Sequence, residues 1–142
     1  MREIKFRGKD CSGKWRYGAY IPTEFTQWQE PSIFDGHHRA EVDGETLGQF
    51  TGLFDSEGIA IYEGDIVKTK MFGKDDGNGH NWNDYDTFSV VFKDCAFKLS
   101  NSRREFFLAT TRIDDLKYRE LKVIGNMFEN PELLEVKNDD TD

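Results

Sequence analysis

Cysteine is scarce in this sequence: Cys11 and Cys95 stand alone, with no CxxC spacing around either. Two isolated thiols supply neither a disulfide framework nor a zinc pattern, so a reduced intracellular pair is expected, with a single bridge as the alternative. Prolines number three, and each marks a break: Pro22 ends a strand, Pro31 interrupts an irregular stretch, and Pro131 opens a helical turn. No apolar run approaches membrane-spanning length, and Met1-Arg2-Glu3-Ile4-Lys5-Phe6 alternates like a strand rather than opening a leader. A soluble, cytoplasmic protein, away from membranes, is expected. Positive charge is in deficit, with 19 basic against 27 acidic residues and a formal net charge of −8. Polyanion binding calls for the opposite balance or a concentrated basic patch, and Arg103-Arg104, the one adjacent basic pair, is too short to supply it. The GxSxG, P-loop and dinucleotide-binding glycine signatures are all missing, which disfavours an enzyme and gives no reason to expect a cofactor.

What the chain does have is aromatic mass and turn chemistry. Twelve Phe, five Tyr and three Trp in 142 residues can bury a core of ordinary domain size despite low mean hydropathy. Gly48 to Val67 reads as strand, turn, strand, turn, strand: Asp55-Ser56-Glu57-Gly58 and Tyr62-Glu63-Gly64-Asp65 place a glycine where positive φ is needed, and the intervening residues are β-branched or aromatic. Gly58, Gly64 and Asp65 are the structural turn residues, and two reversals this close predict a meander. Before it, Glu3 to Gly8 and Lys14 to Ile21 read as a hairpin around Lys9–Gly13, with Trp15 and Tyr17 on one face and Tyr20 on the other. Thr23 to Gly44 reads as an irregular excursion with one short strand. Strands are expected at Asp65–Phe72, Thr87–Lys93, Ala96–Ser100, Glu105–Thr110 and Leu121–Ile124, with a helical spacing after Thr111 and a turn of helix led by Asn130-Pro131. Gly125-Asn126 breaks or bulges the last strand, and Asn138 to Asp142 forms a solvated acidic tail. The expected fold is mostly β: an N-terminal β-hairpin with its irregular excursion packed on an SH3-like β-barrel drawn from Thr46 to Ile124, with at most two short helices. It is read as one domain over 1–142, divisible into subdomains 1–45 and 46–137 followed by the tail 138–142.

Three blocks carry a family resemblance: Met1-Arg2-Glu3-Ile4-Lys5-Phe6-Arg7; Gly48 to Leu53 with Ile61-Tyr62-Glu63-Gly64-Asp65-Ile66-Val67; and Val123-Ile124-Gly125-Asn126-Met127-Phe128-Glu129-Asn130-Pro131-Glu132-Leu133-Leu134. In this order they resemble the YopX-like proteins of bacteriophages and prophages. The resemblance implies a small, mostly β protein from among phage early or accessory genes, and it brings neither an agreed activity nor catalytic residues. The chain departs most at Thr23–Gly44 and in the loop Gly73–Asp86, where specificity is expected to reside.

Among candidate sites, Glu63 and Asp65 could serve acid–base chemistry with a histidine in a hydrolase, but a turn feeding a strand explains both more simply, with Asp65 capping the turn and Glu63 facing water. Adjacent His37 and His38 point to opposite faces of an extended strand and cannot share one ion. Asp76, Asn78 and His80 imitate the start of a calcium loop, yet Asn81 and Thr87 stand where its glycine and bidentate glutamate belong. No metal is expected. Trp28, Trp82 and Tyr85 lie in segments with little periodic burial and are the candidate partner-binding residues. The favoured reading is a non-catalytic binding module for a host or phage protein, which could also self-associate. Its alternative is a nucleic-acid-binding barrel using Lys68, Lys70, Lys93, Lys98, Arg103 and Arg104 as a basic face.

Overall fold

In a computed structural model, residues 3–25, 27, 29–70, 85–103, 105–108 and 121–134 are described, and two antiparallel sheets account for most of them. The chain divides into two compact units: 1–53 with 60–63, and 54–59 with 64–142. It therefore passes between them three times, at 53/54, 59/60 and 63/64.

The first unit is a six-stranded sheet in the order β4-β3-β2-β1-β5-β6. Strand β1 (Phe6–Lys9) and β2 (Trp15–Ile21) form the expected hairpin, with Phe6 opposite Gly18 and Lys9 opposite Trp15. Its loop is closed by the Asp10 carboxylate, which accepts from Ser12 N–H, the Ser12 hydroxyl, Lys14 N–H and Arg16 Nε. These donors hold Asp10 well below the usual carboxylate range, the Ser12 and Arg16 side chains contributing most. The excursion is more ordered than its sequence suggests. It contains two three-residue strands, β3 (Ser32–Phe34) and β4 (Arg39–Glu41), paired to each other and, through β3, to β2. Asp35 turns this second hairpin, its Oδ1 accepting from both His37 and His38 N–H. A short 3-10 turn, Gly44–Thr46, clamps the end of β1, with Lys9 N–H donating to Thr46 Oγ1 and Asp43 N–H to the Lys9 carbonyl. Strands β5 (Gly48–Phe54) and β6 (Ala60–Tyr62) complete the sheet, and Ile33, Val42, Phe50, Ile61 and Tyr62 are its buried apolar residues. Each such side chain contributes about 1.5–3 kcal/mol through burial.

The second unit is a five-stranded sheet in the order β10-β9-β8-β7-β11. Its strands are β7 (Asp65–Lys70), β8 (Tyr85–Lys93), β9 (Ala96–Ser100), β10 (Glu105–Phe107) and β11 (Lys122–Asn126). Ile66, Val67, Phe88, Val90, Leu99 and Leu108 are almost wholly buried. A two-residue turn, Asp94-Cys95, joins β8 to β9 with both residues at positive φ (54° and 63°), the mirror-image turn that suits strand twist but usually takes Asn-Gly. After β11 a 3-10 turn, Pro131–Leu134, follows as expected. Asn130 leads it through its carbonyl, which accepts from Leu133 N–H, while its side-chain oxygen reaches back to Asn126 N–H.

Two expectations need correcting. No closed barrel forms among the described residues: β10 and β11 are the unpaired edges of an open second sheet, and β5 and β6, assigned in advance to the barrel, pair in the first sheet. Nor do the reversals at 55–58 and 62–65 make one meander. The first joins neighbouring strands of one sheet, whereas β6 ends the first sheet and β7 begins the second. Local turn chemistry specifies a change of direction and says nothing about which sheet the next strand joins. The helical spacing after Thr111, the strand ends beyond Lys70 and Leu108, and the acidic tail lie outside the described residues.

Candidate functional site

Both turns named from the sequence carry the positive-φ glycines expected of them, Gly58 at 83° and Gly64 at 94°. Around them the polar groups are committed to holding backbone. Asp55, at the front of the first turn, is buried; its Oδ1 accepts from Glu57 and Ile59 N–H, both at 2.8 Å, and its Oδ2 from Val123 N–H at 3.0 Å. Burial alone would raise its pKa, but the three N–H donors outweigh it and hold the carboxyl below its ordinary value. Lys122, ion-paired with Glu57 at 3.0 Å, adds to that shift. The sequence reading recognised Asp55 only as a turn former; its partner is 68 residues away, beyond the reach of local patterning.

Gly64 links the middle of the second sheet to its closing segment, its N–H donating to the Val90 carbonyl and its carbonyl accepting from Met127 N–H. Next to it, Asp65 is buried opposite Asn126 at the start of β7. The expected bulge falls between Val123 and Gly125. A Cβ at Gly125 would lie 2.6 Å from Asn130 Oδ1, so the bulge depends on a residue without a side chain. Asn126 then folds the following segment upon itself: its Oδ1 accepts from Phe128 and Glu129 N–H, and its Nδ2 donates to Glu129. The closing block of the family pattern is thus a self-bonded turn.

The catalytic candidates have structural employment. Glu63 is half-buried rather than facing water, with Oε1 accepting from Gln49 N–H at 3.4 Å. Glu63 belongs to the first unit and Asp65 to the second. His37 and His38 sit exposed on the Asp35 turn, and no group of three metal-ligating side chains occurs among the described residues. Cys11 and Cys95 are both exposed free thiols. Trp28 and Trp82 lie outside the described residues, as does His80, and of Tyr85 only the backbone is described, pairing with Lys70 at the start of β8.

Of the basic residues of the nucleic-acid alternative, Lys93, Lys98 and Arg103 each lie against a carboxylate on the second sheet, and Arg104 lies outside the described residues. Lys98 Nζ lies 3.1 Å from Asp94 and 3.3 Å from Glu105, Lys93 lies 3.3 Å from Glu105, and Arg103 lies 3.2 Å from Asp86. Donating to Asp94 and then to Glu105 raises the Lys98 pKa, while accepting from Lys98 and then from Lys93 lowers that of Glu105. Lys98 also covers the exposed ring of Phe107, 4.9 Å from its centroid.

Comparison with known proteins places this architecture. A family model described as YopX protein matches residues 4–135. Among solved structures, the chain is similar to the protein yopX from Bacillus subtilis, with TM-score 0.53 and 21% identity, covering 95% of this chain and 100% of that one. It is similar to protein EF1440 from Enterococcus faecalis at TM-score 0.51 and 22% identity, with the same coverage. At these identities the two structures speak for the fold alone. No curated protein matches significantly. No described helix is long and apolar enough to cross a membrane. With its two-sheet fold and a family match over nearly its whole length, the chain belongs to the YopX family.

Proposed function

We propose that this protein is a non-catalytic accessory module of a phage or prophage that acts in the host cytoplasm by binding a host or phage protein. The supporting observation is the charge matching on the second sheet, where Lys93, Lys98 and Arg103 are each held by a carboxylate. A surface so neutralised offers a polyanion little, whereas exposed aromatics such as Phe107 beside it suit a protein interface. The partner-reading residues are Trp28 of the excursion, Trp82 of the long loop and Tyr85 at the start of β8, carried on a hydrogen-bonded scaffold.

The test is affinity capture from infected cells with the tagged protein and its Trp82→Ala and Tyr85→Ala variants. A specific protein should be retained by the wild type and depleted at least tenfold by the variants, with circular dichroism unchanged. Capture that is indifferent to both substitutions, or retained nucleic acid released by Lys98→Gln and Arg103→Gln, would overturn this reading.

A further inference from the structure

Strand β4 is one end of the first sheet, and its backbone alternates. Ala40 pairs with Ile33 of β3, while Val42 N–H donates to the Pro31 carbonyl and Asp35 N–H to that of His38. His38, Ala40 and Val42 thus turn their backbone polar groups toward β3, and Arg39 and Glu41 turn theirs outward. Both residues are exposed. Opposite charges therefore stand two residues apart on one face of an open edge. Arg39 is also engaged within its own chain, but a guanidinium has several N–H donors and can take a further carboxylate while keeping that contact. The other sheet ends differ. At β11, Val123 N–H is held by Asp55 Oδ2 and the Leu121 carbonyl by Ser56 N–H. In β6, Ile61 and Tyr62 are buried, and at β10 Glu105 is already paired with Lys93 and Lys98.

We propose that β4 pairs with β4 of a second copy of this chain, antiparallel about a two-fold axis at Ala40, so that the two copies share one continuous sheet. In this register Arg39 of each copy lies opposite Glu41 of the other, on the same face, and each such pair exchanges both of its backbone hydrogen bonds. Charge selects the register: the same symmetry centred on Arg39 or on Glu41 sets like charges directly opposite each other, which is destabilising. A foreign strand meets no such self-matching. The edge is three residues long, so the dimer is a weak one that forms at high concentration. These residues are distinct from Trp28, Trp82 and Tyr85, and the pairing does not depend on the protein-partner reading.

Sedimentation velocity of the full chain at concentrations up to about 1 mM tests the proposal and should show a reversible monomer–dimer equilibrium. Arg39→Glu and Glu41→Arg should each weaken dimerisation at least about tenfold, and an equimolar mixture of the two should recover it, because each like-charged edge then meets its opposite. A misfolded variant cannot restore association, so recovery in the mixture reads strand pairing rather than folding. Glu41→Pro removes an N–H that points away from β3; the monomer keeps its ladder, with circular dichroism unchanged, and the dimer should be lost. A chain that stays monomeric at about 1 mM, dimers that survive Glu41→Pro, or a mixture that associates no better than its folded components would each overturn the proposal.

Discussion

Two groups of cations, one in each sheet, are held mainly by different means. At β1, Arg7 and Lys9 lie on the faces of Trp15 and Tyr62, and Lys5, just before the strand, on that of Phe50 with Glu3 3.8 Å away; along β8 and β9, Lys93 lies against Glu105 and Lys98 between Asp94 and Glu105. A ring contact includes packed apolar area and resists screening, whereas an exposed ion pair weakens with salt and contributes little. The same residue types therefore do different work: in the first sheet a guanidinium is part of the packing, and in the second the ammonium groups settle local charge.

That contrast can be broken experimentally. The largest effect is expected from Arg7→Ala, which empties the space between Trp15 and Tyr62 and should lower stability by about 3 kcal/mol in chemical denaturation, nearly independently of salt. The parallel change Lys93→Gln, at an exposed ion pair with Glu105, should cost less, and its cost should shrink as salt rises; equal salt responses at the two sites would dissolve the distinction. Asp55→Ala, which strands the N–H groups of Glu57, Ile59 and Val123, should cost about 2–3 kcal/mol. Because the Asp55 pKa is lowered on folding from 3.8, its contribution is fully present above that value and drains away as pH falls through the lowered one. Acid titration of stability should therefore show a loss below pH 3.8 that Asp55→Asn attenuates; an identical profile in the variant would remove the carboxylate from the account. The smallest effect is of opposite sign. Cys95→Gly relieves a side chain at φ 63° and should stabilise the protein by about 1 kcal/mol, seen as a higher Tm.

Short-range features were legible in the sequence. The glycines at 58 and 64, the N-terminal hairpin, the bulge at Gly125 and the turn at Pro131 all depend on chemistry within a few residues, and all are present. What depended on distant partners was not. β3 and β4 are three residues each, too short for a period to show, and they exist because β2 and their own Asp35 turn align them. The departure of β7 from the strand before it, the burial of Arg7 and the reach of Asp55 to Val123 are decided by neighbours far along the chain. Of the candidate partner residues, Trp28 and Trp82 lie outside the described residues, and the register adds that Tyr85 opens β8 opposite Lys70.

The pairing of β11 with β7 also has a kinetic meaning. Between Lys70 and Lys122 lie three further strands of the same sheet, yet β11 completes one edge by returning to β7, and the Asp55–Val123 bond closes a loop of 68 residues. Such a closure must be paid in chain entropy before its contacts form. The second sheet is therefore expected to mature slowly, with the edge of β7 bare until the last strand arrives. An edge left open until then is the state in which strands from different molecules can pair.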